Sequence, residues 1–303
     1  MPTPSFRAAP VRVRVPATSA NLGPGFDTAG LALALYDNVV VQVTDSGLTV
    51  DVAGEGADDL PRDKRHLIVK ALKATFAELG GQPRGLHVAC ANRIPQSRGL
   101  GSSSAAIVAA VVAARALVLG GEETLDDAAA LALATRLEGH PDNVAACLSG
   151  GLSFAWTAAD GVRVERVDVH PDIAPVAFIP SSRASTRKVR GLLPESVPHA
   201  EAAANSARAA LLALAMTRNP ALLMDATVDY LHQSYRASAM PRSAALVKAL
   251  RADGVPAVIS GAGPTVLALC TRAAADVVAA RQPRGWEVVP LAVEQQGATV
   301  VPL

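Results

Sequence analysis

The longest apolar run in the chain, Ala105–Leu119, is broken only by Arg115, and a glycine- and serine-rich stretch leads into it. A helix that is apolar on all sides is buried in a protein interior or a membrane. This one is too short to cross a bilayer and carries a charge, so other elements must surround it. The chain has the material for that: 303 residues, 50% of them apolar, enough for one large domain or two moderate ones.

Periodicity supplies the surrounding elements. Val11–Val15 alternates strictly and reads as a strand, as do Leu35–Val43, Leu48–Val52 and Leu86–Ala91, with a turn at Asp45–Gly47. Asp63–Leu79 has helical spacing and is closed by Gly80–Gly81, where a C-cap belongs. The apolar helix is followed by a second, Leu125–Glu138, with Thr124 as its N-cap and Asp127 at the reciprocal position of a capping box. Gly150–Trp156, Val162–Val169 and Ala174–Ile179 resume as strands, and Ser181–Pro198 is a polar, basic loop. Beyond it the chain reads as helical to Asp253. It closes on a βαβ-like series: Ala257–Ser260, Thr265–Cys270, Ala273–Arg281 and Glu287–Leu291. Strands and helices mixed in both halves predict an α+β protein of two domains, 1–165 and 166–303.

Composition removes several functions. A net charge of +1 and 3% aromatic residues leave neither the basic footprint nor the stacking surface of a nucleic-acid binder. Cys90, Cys147 and Cys270 lie far apart in apolar stretches, which points to core packing rather than zinc or disulfides. The first ten residues hold no apolar h-region, so the expectation is a cytoplasmic protein without membrane contact.

The stretch from Ile94 to Ala106 carries the first chemistry. Gly99 and Gly101 permit a tight turn with exposed N–H groups, and Ser102, Ser103 and Ser104 put amides and hydroxyls at a helix N-terminus. That end of a helix suits a polyphosphate. There is no Gly-Lys-Ser/Thr, and Ser104 stands where a dinucleotide fingerprint has its third glycine. A plain Gly/Ser turn capping a buried helix remains the alternative.

Pro95, Gly99, Leu100, Gly101, Ser102 and Ser103, with Ala105 and Ala106 and Ser104 as a tolerated small residue, resemble the ATP-binding motif of the GHMP kinases. Pro16-Ala-Thr-Ser-Ala-Asn-Leu-Gly-Pro-Gly-Phe-Asp27 and Ser260-Gly-Ala-Gly-Pro-Thr265 resemble that superfamily's other two blocks, in the right order. The resemblance implies an N-terminal domain like ribosomal protein S5 domain 2 and a ferredoxin-like C-terminal domain, with ATP and Mg²⁺ as cofactors. The first block and Glu138-Gly-His-Pro-Asp-Asn143 are similar to the homoserine kinases within it.

That likeness implies L-homoserine as the small-molecule substrate, O-phospho-L-homoserine as product, a place in threonine biosynthesis, and a homodimer. It implies Asp27, Asn21 and Asn143 around the ammonium, Arg190 and Arg236 on the carboxylate, and His140 in the same pocket. Ser103 and Glu138 would hold Mg²⁺. Asp27, Glu138, Thr186 and Arg190 would stand closest to the chemistry, with Asp142 structural or secondary. Residues between about Asn38 and Ile68 would meet the adenine, and Gly261–Thr265 would support the phosphate loop or close the site. Two alternatives stay open here, another GHMP kinase acting on an isoprenoid alcohol or sugar, and a non-catalytic nucleotide sensor of this fold.

Overall fold

In the computed structural model, which describes residues 4–303 apart from the side chains of Thr186 and Arg187, the opening alternation becomes strand β1 (Val11–Ala20). Val11, Val13 and Val15 are buried, and β1 runs on through Pro16–Ala20, where the sequence suggested no strand. It pairs antiparallel with β2 (Ala29–Thr44), and their register slips between Pro16 and Ala17. An irregularity at that point suits a residue with no N–H to give the ladder. β3 (Gly47–Gly54) and β4 (Gly85–Asn92) run parallel, joined through helix α1 (Leu67–Glu78). β2 therefore pairs with β4 along its second half and with β5 (Leu152–Ala158) at its start, and β5 forms a hairpin with β6 (Gly161–Val167).

Two helix starts differ from expectation, for local hydrogen-bonding reasons. α1 begins at Leu67 rather than Asp63, because the Asp63 carboxylate takes the Arg65 N–H at 2.8 Å and holds a turn. Its end is as expected: Gly80 has φ +94° and the Gly81 N–H returns to the Phe76 carbonyl at 3.0 Å. The second correction concerns the helix after the apolar one. α2 (Ser102–Leu117) is followed by a single turn, α3 (Gly121–Thr124), and then by α4 (Asp127–Glu138). The N-cap of α4 is Asp126, whose carboxylate accepts the Ala129 N–H at 2.8 Å. Thr124 instead donates back to the Gly120 carbonyl.

α2 is surrounded as its composition demands, by β1, α1, α4 and α5 (Asp142–Ser149). Its alanines let those neighbours approach closely.

The second half makes a four-stranded antiparallel sheet from β7 (Ile173–Pro180), β8 (Ala257–Ile259), β9 (Val266–Thr271) and β10 (Trp286–Pro290). The loop expected at Ser181–Pro198 contains α6 (Thr186–Arg190). The long helical stretch is broken into α7 (His199–Thr217), α8 (Leu223–Ala226), α9 (Gln233–Arg236) and α10 (Pro241–Ala252). α11 (Arg272–Ala279) links β9 to β10. Sheet order is β10-β7-β9-β8, so β7 lies between the two strands that α11 connects, the split βαβ arrangement of ferredoxin-like domains.

Strand alternation divides this sheet between two cores. Leu267 and Leu269 of β9 face the large core shared with the first sheet, while Val266, Ala268 and Cys270 face α10 and α11. The chain then returns to the first sheet: β11 (Thr299–Val301) pairs with β1, and the Tyr36 hydroxyl donates to Glu294. No helix among the described residues is long and apolar enough to cross a membrane.

Loss of the observed cap should be measurable. Asp126→Ala is expected to destabilise the fold by about 1 kcal/mol, and Thr124→Ala by clearly less, in urea unfolding. Equal effects would restore Thr124 as the cap.

Candidate active site

β4 hands the chain to the glycine loop, and Asp37 on β2 anchors the junction. Its Oδ1 accepts the Arg93 N–H at 2.6 Å and the Ile94 N–H at 2.8 Å. Burial pushes the Asp37 carboxyl up to about 6, against the downward pull of those two N–H groups. Gly99 and Gly101 then have φ of +79° and +71°. A Cβ on Gly99 would strike the Ser260 carbonyl, and one on Gly101 the Thr18 hydroxyl. α2 starts at Ser102 with no side-chain cap, which leaves its first-turn N–H groups for a ligand. Gly139 (φ +97°) ends α4 so that Glu138 faces this helix start. Ser103 and Ser104 both donate to Glu138 Oε1, at 2.6 and 2.8 Å.

A cavity of about 470 Å³ opens along this loop. Part of its wall is apolar, from Val15, Val39, Leu60, Leu67 and Ile68, with Asn92, Gln96 and His66 among them. His66 is only 3% exposed, and neither ring nitrogen has a hydrogen-bond partner. Burial pulls its pKa below the usual imidazole value.

The rest of the wall is charged. Asp27, at φ +54°, forms a two-point fork with Arg190, with oxygen–nitrogen distances of 2.6 and 2.9 Å. Asn21 fixes that turn: its Oδ1 accepts the Asp27 N–H and its Nδ2 donates to the Gly261 carbonyl, both at 3.0 Å. The hydrogen bonds that Arg190 donates to Asp27 raise its pKa against the effect of burial.

Arg190 and Arg236 lie over the Phe26 ring, at 5.5 and 5.3 Å from its centre. Arg236 is 2% exposed, and among the described residues no carboxylate lies within salt-bridge distance of it. Its Nε is buried without a partner. Burial first, and then the neighbouring Arg190, lower the Arg236 pKa. His140 Nδ1 lies 2.8 Å from Asp142 Oδ1. Burial works against the imidazolium there, but the Asp142 hydrogen bond and charge outweigh it, so the His140 pKa is raised.

A glycine loop at an open helix start, a carboxylate with hydroxyls beside it, and a buried unpaired guanidinium share this one cavity. The family model for the GHMP kinases N terminal domain matches residues 66–151, and that for the GHMP kinases C terminal domain matches 200–287. The chain belongs to the GHMP kinases.

The homoserine kinase of Streptomyces coelicolor is 62% identical to this GHMP kinase over 100% of the chain and 98% of the relative. That of Clavibacter michiganensis is 50% identical over 96% and 93%. A crystal structure of homoserine kinase from Cytophaga hutchinsonii superposes with a TM-score of 0.86 at 26% identity, covering 98% of each chain. The mevalonate kinase of L. major shares the fold, with a TM-score of 0.69 at 17% identity over 97% and 98% of the chains.

The structure brings Asn21, Asp27, His140, Asn143, Arg190 and Arg236 to one wall system with Gly99, Gly101, Ser102, Ser103 and Glu138. Three residues expected at the nucleotide do not line it. Leu100 and Ser104 are fully buried and Pro95 is buried with them, so their side chains shape the loop from behind. The Thr186 side chain lies outside the described residues. Asn143 accepts the Thr18 hydroxyl at 2.7 Å, so it too braces the loop.

Sequence reasoning did not single out Thr18, Asp37 or Arg98, the last of which lines the cavity, and it reached His66 only within the Asn38–Ile68 stretch expected at the adenine. Thr18 sits inside a block already singled out, and Arg98 inside the glycine loop. Asp37, inside β2, and His66, at the start of α1, carry no motif.

The His140–Asp142 contact has a pH signature. A histidine whose folded pKa is raised stabilises the fold fully below the ordinary value of about 6.5, and this contribution is lost as pH rises through the folded value. NMR titration of His140 is expected to give a midpoint above that ordinary value, moving down in Asp142→Asn, where burial and Arg190 are opposed by Glu138 alone. An unchanged midpoint would refute the pairing.

Proposed function

We propose that this GHMP kinase transfers the γ-phosphoryl group of ATP to the side-chain hydroxyl of L-homoserine, giving O-phospho-L-homoserine for threonine biosynthesis. One observation carries the substrate reading: Arg236 is a buried cation with no carboxylate partner among the described residues, beside the Asp27–Arg190 fork and in the cavity of the glycine loop. A buried unpaired charge is costly, so the site is built for an anion that arrives with the ligand. Two guanidinium groups suit a carboxylate, and Asp27 suits an ammonium. The full-length relatives named homoserine kinase support the same substrate.

The polyphosphate is assigned to the N–H groups of Gly99–Ser103 at the start of α2. The base is assigned to the apolar wall, where His66 offers two unused ring nitrogens. Ser103 and Glu138 fit Mg²⁺, because a carboxylate and a hydroxyl already meet there and this ion prefers oxygen donors. When bound, the ion neutralises charge on the phosphate oxygens. The hydroxyl oxygen attacks the γ-phosphorus in line with the leaving ADP oxygen, and its proton passes toward the transferred phosphate. Asp27 and Arg190 hold the substrate for this step, and Thr186 is assigned to the neighbourhood of the hydroxyl. Asp142, engaged with His140 and with the Asn143 N–H at 2.8 Å, serves as a brace. The reading includes a cytoplasmic homodimer.

ADP release measured with Mg-ATP and L-homoserine, L-serine, mevalonate or galactose tests the assignment. Activity is expected with L-homoserine and is expected to be lost in Arg236→Ala. Turnover of mevalonate or galactose instead would overturn the substrate, and silence on the whole panel would leave a nucleotide sensor. Glu138→Ala should recover partly as Mg²⁺ is raised. A fall in kcat of about 10³-fold in Asp142→Asn at constant KM would make that residue a base instead.

A further inference from the structure

We infer that His232 is the positioning residue for Arg236, holding its guanidinium in place for the substrate carboxylate as a neutral imidazole with its hydrogen on Nε2. The inference rests on the function proposed above. Two contacts specify the tautomer. His232 Nε2 lies 2.8 Å from the Gly23 carbonyl, which can only accept, so Nε2 carries the hydrogen. Nδ1 lies 3.3 Å from an Arg236 terminal nitrogen, which can only donate, so Nδ1 keeps its lone pair.

The ring itself cannot turn. It is fully buried and stacks on Phe26, with centres 5.1 Å apart and planes 26° apart. The Asp229 carboxylate accepts the N–H groups of Leu231, His232 and Gln233 at 2.9, 3.1 and 2.7 Å and so starts α9. Along that turn the Arg236 N–H bonds the His232 carbonyl at 3.2 Å, which sets the two side chains on one face. The Gly23 carbonyl is equally constrained, since Gly23 has φ +87° and sits against the Thr227 carbonyl.

The arginine is thereby held on two sides, one donor by Nδ1 and one face by Phe26, leaving other donors for a carboxylate. A protonated His232 would remove the acceptor and set a second cation against the first. The charged groups facing the ring are Asp229, Arg236 and Asp27. Burial, and after it the Arg236 charge, lower the ring's pKa against Asp229, the Gly23 hydrogen bond and Asp27.

Two isosteres separate the contacts. His232→Gln places an amide donor near Nε2 and abandons Nδ1, whereas His232→Asn places an oxygen near Nδ1 and abandons Nε2. The expected result is a KM for L-homoserine raised about tenfold in His232→Gln, the worth of one hydrogen bond to a charged group. KM for ATP and kcat should stay within about twofold, and His232→Asn should recover most of the loss. Homoserinol, which lacks the carboxylate, should be turned over equally by wild type and His232→Gln. Equal losses on both compounds, or no advantage of His232→Asn over His232→Gln, would overturn the inference and leave His232 a packing residue. ¹⁵N NMR of the wild-type ring decides independently of activity: Nε2–H with a bare Nδ1 supports the inference, and a protonated Nδ1 ends it. If the wild type ignores L-homoserine, the proposed function fails while the tautomer still judges the arginine contact.

Discussion

Three stretches far apart in the chain close on one another so tightly that two of their residues have no room for a Cβ. The Thr18 N–H bonds the Leu100 carbonyl and the Thr265 N–H bonds the Arg98 carbonyl, both at 3.1 Å. The Ser260 hydroxyl donates to the Gly99 carbonyl at 2.5 Å and lies 2.8 Å from the Ser19 hydroxyl, and the Gly261 N–H bonds the Ala20 carbonyl at 3.0 Å. These groups are buried or nearly so, where an unmade hydrogen bond costs on the order of 1–3 kcal/mol. The glycine loop is therefore held from both sides, by β1 and by the turn between β8 and β9. Gly261–Thr265 braces the loop through these contacts, and Gly261 and Ala262 also line the cavity, so both expected roles stay open to it.

The charged pocket depends on the same closure. Asn21 joins the Gly261 carbonyl to the Asp27 N–H, so the turn carrying Asp27 is set by the second glycine loop. Arg190 and Arg236 come from α6 and α9 in the second half of the chain, and Phe26 between them comes from the first. A site made in this way exists only when both halves are in place. The C-terminal return of the chain reinforces it, through β11 on β1 and Glu294 on Tyr36.

What could be read ahead of the structure was what local chemistry determines. The valine alternation of β1, the apolar α2 and the glycines of the loop each follow from a single stretch of residues. Other features depend on choices between near-equal local partners. Thr124 and Asp126 are both good caps two residues apart, and only the Ala129 N–H distinguishes them. β11 spans three residues and has no periodicity to detect. The Asp27–Arg190 fork joins positions 163 residues apart, and spacing says nothing of it. Arg190 and Arg236 were legible through likeness to a family, not through any pattern of their own. Asp37 was not legible and His66 only as one residue of a broad stretch, because their significance is that burial leaves them facing a cavity.

The arrangement of charges bears on why a zwitterion suits this pocket. Asp27 and Arg190 neutralise each other, so Arg236 is the surplus charge of the group. In the proposed reading a carboxylate drawn to Arg236 also recruits Arg190, whose fork must then loosen from Asp27. That leaves a part-buried carboxylate short of its partner, and removing one member of such a pair is expensive. An ammonium on the same ligand restores the balance at Asp27. A ligand with a carboxylate alone leaves Asp27 wanting, and one with neither charge leaves Arg236 as it was. In that reading, selection for an amino acid is a consequence of how three residues share two partners.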